Sequence, residues 1–91
     1  MTPTAIRQVI LDALEESLSI SKNSSIRPRM HDPAADIRFD ELEFDSLSAA
    51  EISMKIEDET GYVLDLGDFL AFPSVKALAE HIASRGDGGD E

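Results

Sequence analysis

The chain has 91 residues, 42% of them apolar, which is enough for one small domain with a single hydrophobic core. It carries 19 acidic and 8 basic residues, and the resulting net charge of −11 argues against nucleic-acid binding, because the phosphate backbone needs basic side chains to neutralise it. Cysteine is absent, which excludes disulfides, thiolate metal sites and cysteine nucleophiles. No apolar run is long enough for a membrane span or resembles a signal peptide, so we expect a cytoplasmic protein that does not enter a membrane.

The N-terminal segment predicts an amphipathic helix over residues 3–18. Thr2 is a favoured N-cap, and Pro3 suits the first helical position, where its missing N–H would have no partner. Apolar residues recur at steps of three and four, which places on one face Ile6, Val9, Ile10, Ala13, Leu14 and Leu18.

Residues 19–39 break this pattern and predict a long loop. A serine-rich stretch and two prolines, Pro28 and Pro33, occur here, and loops of this length in compact domains tend to be functional or mobile. Isolated apolar residues are expected to anchor the loop and its exit to the core: Ile20, Ile26, Met30, Ile37, Phe39, Leu42 and Phe44.

The loop is basic, whereas the segment that follows it is acidic. Lys22, Arg27 and Arg29 precede residues 40–68, in which Lys55 is the only base. Three interpretations stay open: the loop folds back and neutralises part of the acidic segment, it meets a specific partner, or it is a mobile, solvated insertion.

A second helix is predicted from Asp45-Ser46 to Thr60, because Gly61 is the type of residue that commonly ends a helix in the left-handed conformation. Residues 62–66 are predicted to form an extended connection, since a single strand would have no pairing partner in this chain.

The C-terminal part predicts a short helical turn over residues 67–72 and a last helix that Ser74 caps and that continues to about Ser84. Gly86 is expected to stop this helix, so that residues 86–91 form a flexible acidic tail. Together the elements predict an all-α fold, a four-helix bundle of three main helices and one short helix with a long first loop, in a domain that spans residues 1–85.

Few residues offer catalytic or metal chemistry. His31 and His81 are fifty residues apart and match no pattern of metal ligands, so no metal site is predicted. A bundle of this size leaves little interior for an enclosed substrate pocket, so we do not expect an enzyme.

The start of the second helix is the remaining candidate site. A serine beside an aspartate at this position usually has a capping role, and either Asp45 or Ser46 would serve as the cap. The alternative is that Ser46 is a modification site, since the amide dipoles at a helix N-terminus favour an attached phosphate.

Three motifs together resemble those of the acyl and peptidyl carrier proteins: Phe-Asp-Glu-Leu-Glu-Phe-Asp-Ser-Leu at residues 39–47, Glu-Thr-Gly-Tyr at 59–62, and Phe-Pro-Ser-Val-Lys-Ala-Leu-Ala-Glu-His-Ile at 72–82. The resemblance covers nearly the whole chain. It implies that Ser46 carries 4′-phosphopantetheine, transferred from coenzyme A by a phosphopantetheinyl transferase, with Asp45 before it and Leu47 packed behind it.

The resemblance also implies a partner-docking surface on the acidic second helix. By position in the family pattern, this surface consists of Ala50, Glu51, Met54, Glu57 and Asp58. The implied partners are the transferase, a loading ligase or acyltransferase, and downstream biosynthetic enzymes with basic docking patches. The protein itself is expected to be a free-standing monomer.

The chain departs from the family pattern at three places. Glu43 stands where many members have glycine, Lys55 interrupts the acidic helix, and the first loop is longer than usual. The motif at 72–82 looks more like that of polyketide or nonribosomal-peptide carriers, which favours a specialised pathway over a housekeeping fatty-acid carrier. A non-carrying acidic interaction module on the same fold is a further alternative, and the intact Asp45-Ser46-Leu47 triplet favours a carrier over it.

Overall fold

The computed structural model describes residues 2–32 and 34–89. Within these residues the chain forms five α-helices and two short 3-10 helices, and it has no β-strand beyond one isolated bridge. The α-helices are α1 (Pro3–Leu18), α2 (Arg27–Met30), α3 (Ser46–Thr60), α4 (Leu66–Ala71) and α5 (Val75–Gly89). The predicted all-α bundle is confirmed, since α1, α3, α4 and α5 are its four helices.

The first loop contains more helical structure than its sequence predicted. The four-residue α2 and the 3-10 helices Ile20–Lys22 and Phe39–Glu41 all lie in or at the end of this segment. Pro28 occupies one of the first two positions of α2, where its ring favours a helical backbone. Elements this short show no helical periodicity, which is why the pattern of apolar residues did not reveal them.

The predicted limits of α1 and α3 are confirmed by their caps. At the start of α1 the backbone N–H of Ala5 donates to Thr2 Oγ1 at 3.1 Å. At the end of α3, Gly61 has a φ of 78°, and its N–H donates to the carbonyl of Glu57 at 2.8 Å. This left-handed backbone conformation favours glycine, because a Cβ would strain it.

Helix α5 begins as predicted but ends later. The N–H of Ala77 donates to Ser74 Oγ at 3.2 Å, which is the expected cap. The helix then continues to Gly89, so the prediction that Gly86 stops it is wrong. Glycine costs about 1 kcal/mol relative to alanine inside a helix but does not forbid helical dihedral angles. The last residues of the predicted tail, 90 and 91, lie outside the described part of the chain.

The hydrophobic core lies where α1 packs against α3 and α5. The largest fully buried side chains come from all three helices and from the first loop: Ile6, Ile10, Leu11, Leu14, Ile26, Ile37, Ile52, Ile56, Val75, Leu78 and Ile82. The loop residues were predicted as anchors, and their burial makes the first loop part of the folded domain.

Hydrogen bonds hold the end of the first loop against the start of α5. The N–H of Phe39 donates to the carbonyl of Pro73 at 2.9 Å, and the N–H of Val75 donates to the carbonyl of Ile37 at 2.9 Å. These bonds flank the antiparallel bridge between Arg38 and Ser74. The bridge fixes the backbone eight residues before the first residue of α3.

Candidate functional site

Ser46 is the first residue of α3, and it is exposed. The residue before it provides the cap, because Asp45 Oδ1 accepts a hydrogen bond from the backbone N–H of Ser48 at 2.8 Å. Of the two candidate caps, the structure therefore uses Asp45. Among the described residues, the Ser46 hydroxyl has no hydrogen-bond partner, which leaves it available for modification.

The charge state of Asp45 follows from this cap. The hydrogen bonds from Ser48, chiefly from its backbone N–H, hold the pKa of the Asp45 carboxyl below its usual value. The carboxylate is therefore charged at neutral pH. The partial positive charge of the α3 N-terminus favours anions at the same point.

An apolar groove of about 310 Å³ opens beside Ser46. Its floor is a cluster of three rings, with centroids 5.0 Å apart for Phe39 and Phe44, 5.1 Å for Phe44 and Phe69, and 5.5 Å for Phe39 and Phe69. The complete lining is Phe39, Asp40, Phe44, Asp45, Ser46, Leu66, Phe69, Leu70 and Pro73. The groove joins the end of the first loop to α4, and it can cover an apolar group attached near Ser46.

Leu47 does not pack behind Ser46 as predicted: its side chain is 68% exposed. Helix α3 carries two rows of apolar residues, and the one that faces the core is Ala49, Ile52 and Ile56. Successive residues of an α-helix are about 100° apart around its axis, and this angle places Leu47 on the other, exposed row. The prediction was wrong because the sequence alone does not tell which row is buried.

The exposed row of α3 contains most of the predicted docking residues. Leu47, Ala50 and Met54 follow one another at spacings of three and four, and Met54 is 66% exposed. Glu57 and Asp58 continue this row toward the C-terminus of the helix and are also exposed. The structure thus combines exposed apolar side chains with two carboxylates on one face.

Glu51 and Lys55 lie on the flank of α3 that faces α1. Glu51 Oε1 accepts a hydrogen bond from Ser17 Oγ at 2.7 Å, and Lys55 Nζ lies 2.9 Å from Glu16 Oε2. The hydrogen bond to Glu16 raises the pKa of Lys55. Lys55 is thus paired with Glu16 on this flank of α3. The exposed row of the helix therefore keeps its acidic character although Lys55 interrupts the acidic sequence.

The two histidines do not form a common site. The ring of His81 lies between α4 and α5, with Nε2 3.0 Å from the hydroxyl of Tyr62 and its ring stacked on Phe72 at 4.0 Å. His31 is exposed at the end of α2. Over residues 2–32 and 34–89, no group of three or more metal-ligating side chains occurs. Among the same residues, none of the helices combines the length and the hydrophobicity that a membrane-spanning helix needs.

The groove is the main feature that sequence reasoning missed. Phe39 and Phe44 lie within the serine motif and were predicted only as core anchors, whereas Phe69 follows twenty-five residues after Phe44. Aromatic residues at such a separation give no local signal of a shared groove.

Comparison with known families gives one result that agrees with this geometry. The family model for the phosphopantetheine attachment site matches residues 5–82, which includes all of α3 and α4, most of α1 and about half of α5. Comparisons with curated proteins and with solved structures gave no significant match. The chain therefore belongs to the phosphopantetheine-binding carrier family, whose members hold 4′-phosphopantetheine covalently on a serine.

Proposed function

We propose that Ser46 is the residue of this carrier protein to which 4′-phosphopantetheine is attached. The observation that carries the proposal is the position of its hydroxyl, which is exposed at the first residue of a fifteen-residue helix and is not used by the cap. Asp45 takes the capping role through its bond to Ser48. Modification of Ser46 therefore leaves the helix cap in place.

The surroundings of Ser46 suit the chemistry of this group. The N-terminus of α3 favours the phosphate that would join the serine oxygen, and the apolar groove lies beside the same residue. When bound, the group supplies a terminal thiol on which an acyl, aminoacyl or ketide cargo is held as a thioester. The chain has no cysteine, so its own side chains supply no competing thiol.

Carrier domains are not catalytic themselves; they interact with phosphopantetheinyl transferases and with biosynthetic enzymes. We propose that these enzymes dock on the exposed row of α3, with Leu47, Ala50 and Met54 as apolar contacts. Glu57 and Asp58 lie at the C-terminal end of that row and would meet basic patches on the partners. A loading ligase or acyltransferase and the downstream enzymes of the pathway would use the same face.

We further propose a specialised pathway, of the polyketide or nonribosomal-peptide type, with a housekeeping fatty-acid pathway as the alternative. The support is the motif Phe-Pro-Ser-Val-Lys-Ala-Leu-Ala-Glu-His-Ile at residues 72–82, in which Ser74 caps α5 and Val75, Leu78 and Ile82 enter the core. Loading of the modified protein with an aminoacyl group by an adenylating ligase would favour the nonribosomal-peptide type, and its extension to long saturated acyl chains by fatty-acid synthesis enzymes would favour the housekeeping alternative.

The attachment site is tested by incubation of the purified chain with coenzyme A, magnesium and a broad-specificity phosphopantetheinyl transferase. Intact mass should increase by one phosphopantetheine, and peptide mapping should place the addition on Ser46. Ser46→Ala should gain no mass, and Ser53→Ala is its matched control. Ser53 lies on the same helix, and its hydroxyl donates only to the carbonyl of Ala50 among the described residues. If the wild-type mass does not change, the chain is an acidic interaction module instead.

A further inference from the structure

An ion pair connects the first loop to the segment that leads into Ser46. Arg29, in α2, meets Glu41 through two parallel contacts: Nη1 lies 2.9 Å from Oε2, and Nη2 lies 2.6 Å from Oε1. Such a two-pronged arrangement fixes orientation as well as distance, because the guanidinium and the carboxylate are both planar. The contact spans twelve residues of sequence.

Arg29 is itself held in place from several sides. Its Nε donates to the carbonyl of Ser25 at 3.2 Å, and its Nη1 also donates to the carbonyl of Asp36 at 3.2 Å. Arg7 of α1 donates through Nη2 to the carbonyls of Arg29, at 2.9 Å, and Asp32, at 3.0 Å. The backbone of Arg29 is therefore bonded to α1, and its guanidinium is bonded to two backbone carbonyls as well as to Glu41.

Glu41 lies in the entry segment, residues 40–45, which connects the first loop to α3. The backbone bridge to α5 ends at Phe39, and α3 begins at Ser46, so Glu41 lies between these two fixed points. Its Oε2 also accepts a hydrogen bond from the N–H of Arg38 at 3.0 Å. The hydrogen bond from Arg29, with that from Arg38, lowers the pKa of Glu41 to about 2, so the carboxylate is charged throughout the neutral range.

We infer that Arg29 and Glu41 are positioning residues that hold the entry segment, residues 40–45, in the conformation that a phosphopantetheinyl transferase binds. This inference rests on the proposed role of Ser46. Neither residue touches the attachment serine; Glu41 acts through the short chain that connects it to the Asp45 cap. When the segment is already ordered, the transferase does not pay the entropy of ordering it on binding. Loss of the order therefore raises the KM of the transferase for this protein.

The first loop thereby has a role that a solvated insertion would not have. Of Lys22, Arg27 and Arg29, Arg29 is the one whose side chain pairs with the acidic segment among the described residues, while Lys22 and Arg27 are exposed. Arg38, the last base of the loop, pairs with Asp40 only two residues away, at 3.0 Å. The pair is partly exposed, with side-chain accessibilities of 29% for Arg29 and 34% for Glu41. Exposed ion pairs add little to global stability, so we expect the order of the entry segment, rather than the melting temperature, to change when the pair is broken.

The experiment compares Arg29→Gln, Glu41→Gln and the control Arg27→Gln in the transferase reaction. The first two variants change the net charge in opposite directions, so a general electrostatic effect moves their KM values apart. Loss of the contact raises both KM values, roughly three- to tenfold, the factor expected when one or two side chains must be ordered on binding. We expect kcat within about twofold of wild type, and an unchanged KM for Arg27→Gln, which removes the same charge two residues away.

A double-mutant cycle and hydrogen exchange complete the test. The double variant Arg29→Gln/Glu41→Gln should raise KM no further than either single variant does, because both changes break the same contact. Amide hydrogen exchange of peptides that cover residues 40–47 should be faster in both single variants and unchanged in Arg27→Gln. KM values that move in opposite directions, or exchange rates equal to those of wild type, overturn the inference. The exchange measurement needs no transferase, so it tests whether the ion pair orders the entry segment even if Ser46 is not the attachment residue.

Discussion

The carboxylate of Asp45 accepts the backbone N–H of Ser48 at 2.8 Å, and this bond forms the N-cap of α3 directly beside Ser46. Capping and chemical availability are thus divided between two adjacent side chains. A serine that capped its own helix would lose the cap whenever its oxygen was modified. Here the two roles can be tested separately by substitution.

Ser46→Ala should fold as the wild type does and accept no phosphopantetheine. Because the hydroxyl has no partner in the described part of the chain, its removal should leave the melting temperature unchanged within about a degree. Asp45→Ala is the matched comparison, and it should lower the melting temperature by a few degrees because the cap is lost. Thermal melts and intact mass after transferase treatment measure both effects. Mass gain by Ser46→Ala would contradict the assignment.

The Arg29–Glu41 pair should contribute its stability only above acidic pH. Since the folded-state pKa of Glu41 is lowered from 4.5 to about 2, the stability from its charge is present above pH 4.5 and is lost as pH falls toward 2. The difference in melting temperature between wild type and Glu41→Gln should therefore be small and constant from pH 7 to pH 5, and shrink below that. A difference that grows on acidification would contradict the predicted sign. Glu80→Gln, on α5, corrects for the general effect of losing one acid.

Ile26 anchors the first loop to the core, and its truncation should be costly. The side chain is 1% exposed, so Ile26→Ala should lower the free energy of unfolding by about 2–5 kcal/mol. Urea denaturation followed by circular dichroism measures this change, and Ser24→Ala, at an exposed position of the same loop, is the control. If Ile26→Ala does not fold, Ile26→Val should still show a loss of about 0.5–1.5 kcal/mol. A neutral Ile26→Ala would mean that the loop is not part of the core.

Reversing the charge of Glu51 should slow partner reactions more than it lowers stability. Glu51→Lys places a base beside the exposed face of α3, so the rate of transferase modification should fall severalfold at low salt. The defect should disappear toward about 1 M salt, where the Debye length is about 3 Å. Glu80→Lys makes the same change of charge on α5 and should have little effect. Equal rates for the two variants would mean that Glu51 takes no part in docking. The variant Ser17→Ala measures how far loss of the hydrogen bond between Ser17 and Glu51 contributes to the change in rate.

The elements that were correctly predicted are those with local signals. Thr2, Asp45, Gly61 and Ser74 each mark a helix end through bonds to residues within four positions, so a short stretch of sequence contains the full information. Ser46 could be proposed as the attachment residue for a similar reason, since its motif is contiguous. The end of α5 was missed because Gly86 disfavours a helix without forbidding one.

The features that were missed depend on contacts between distant residues. Arg27 and Arg29 are equivalent in the sequence, and only the path of the loop after α2 decides that Arg29 meets Glu41. The exposure of Leu47 depends on which row of α3 faces α1, and Phe69 joins Phe39 and Phe44 only after α4 has packed. Such facts belong to the tertiary structure, which local patterns do not encode.

Helix α4 gives the groove beside Ser46 one wall that is much less firmly held than the other. Of its six residues only Phe69 is buried, while Leu66 is 50% and Leu70 is 76% exposed. An element with one buried anchor can detach locally at a free energy below that of global unfolding. The opposite wall, at Phe39, is bonded to Pro73 through its backbone. A group too large for the groove would therefore displace α4 more readily than it would displace the wall at Phe39.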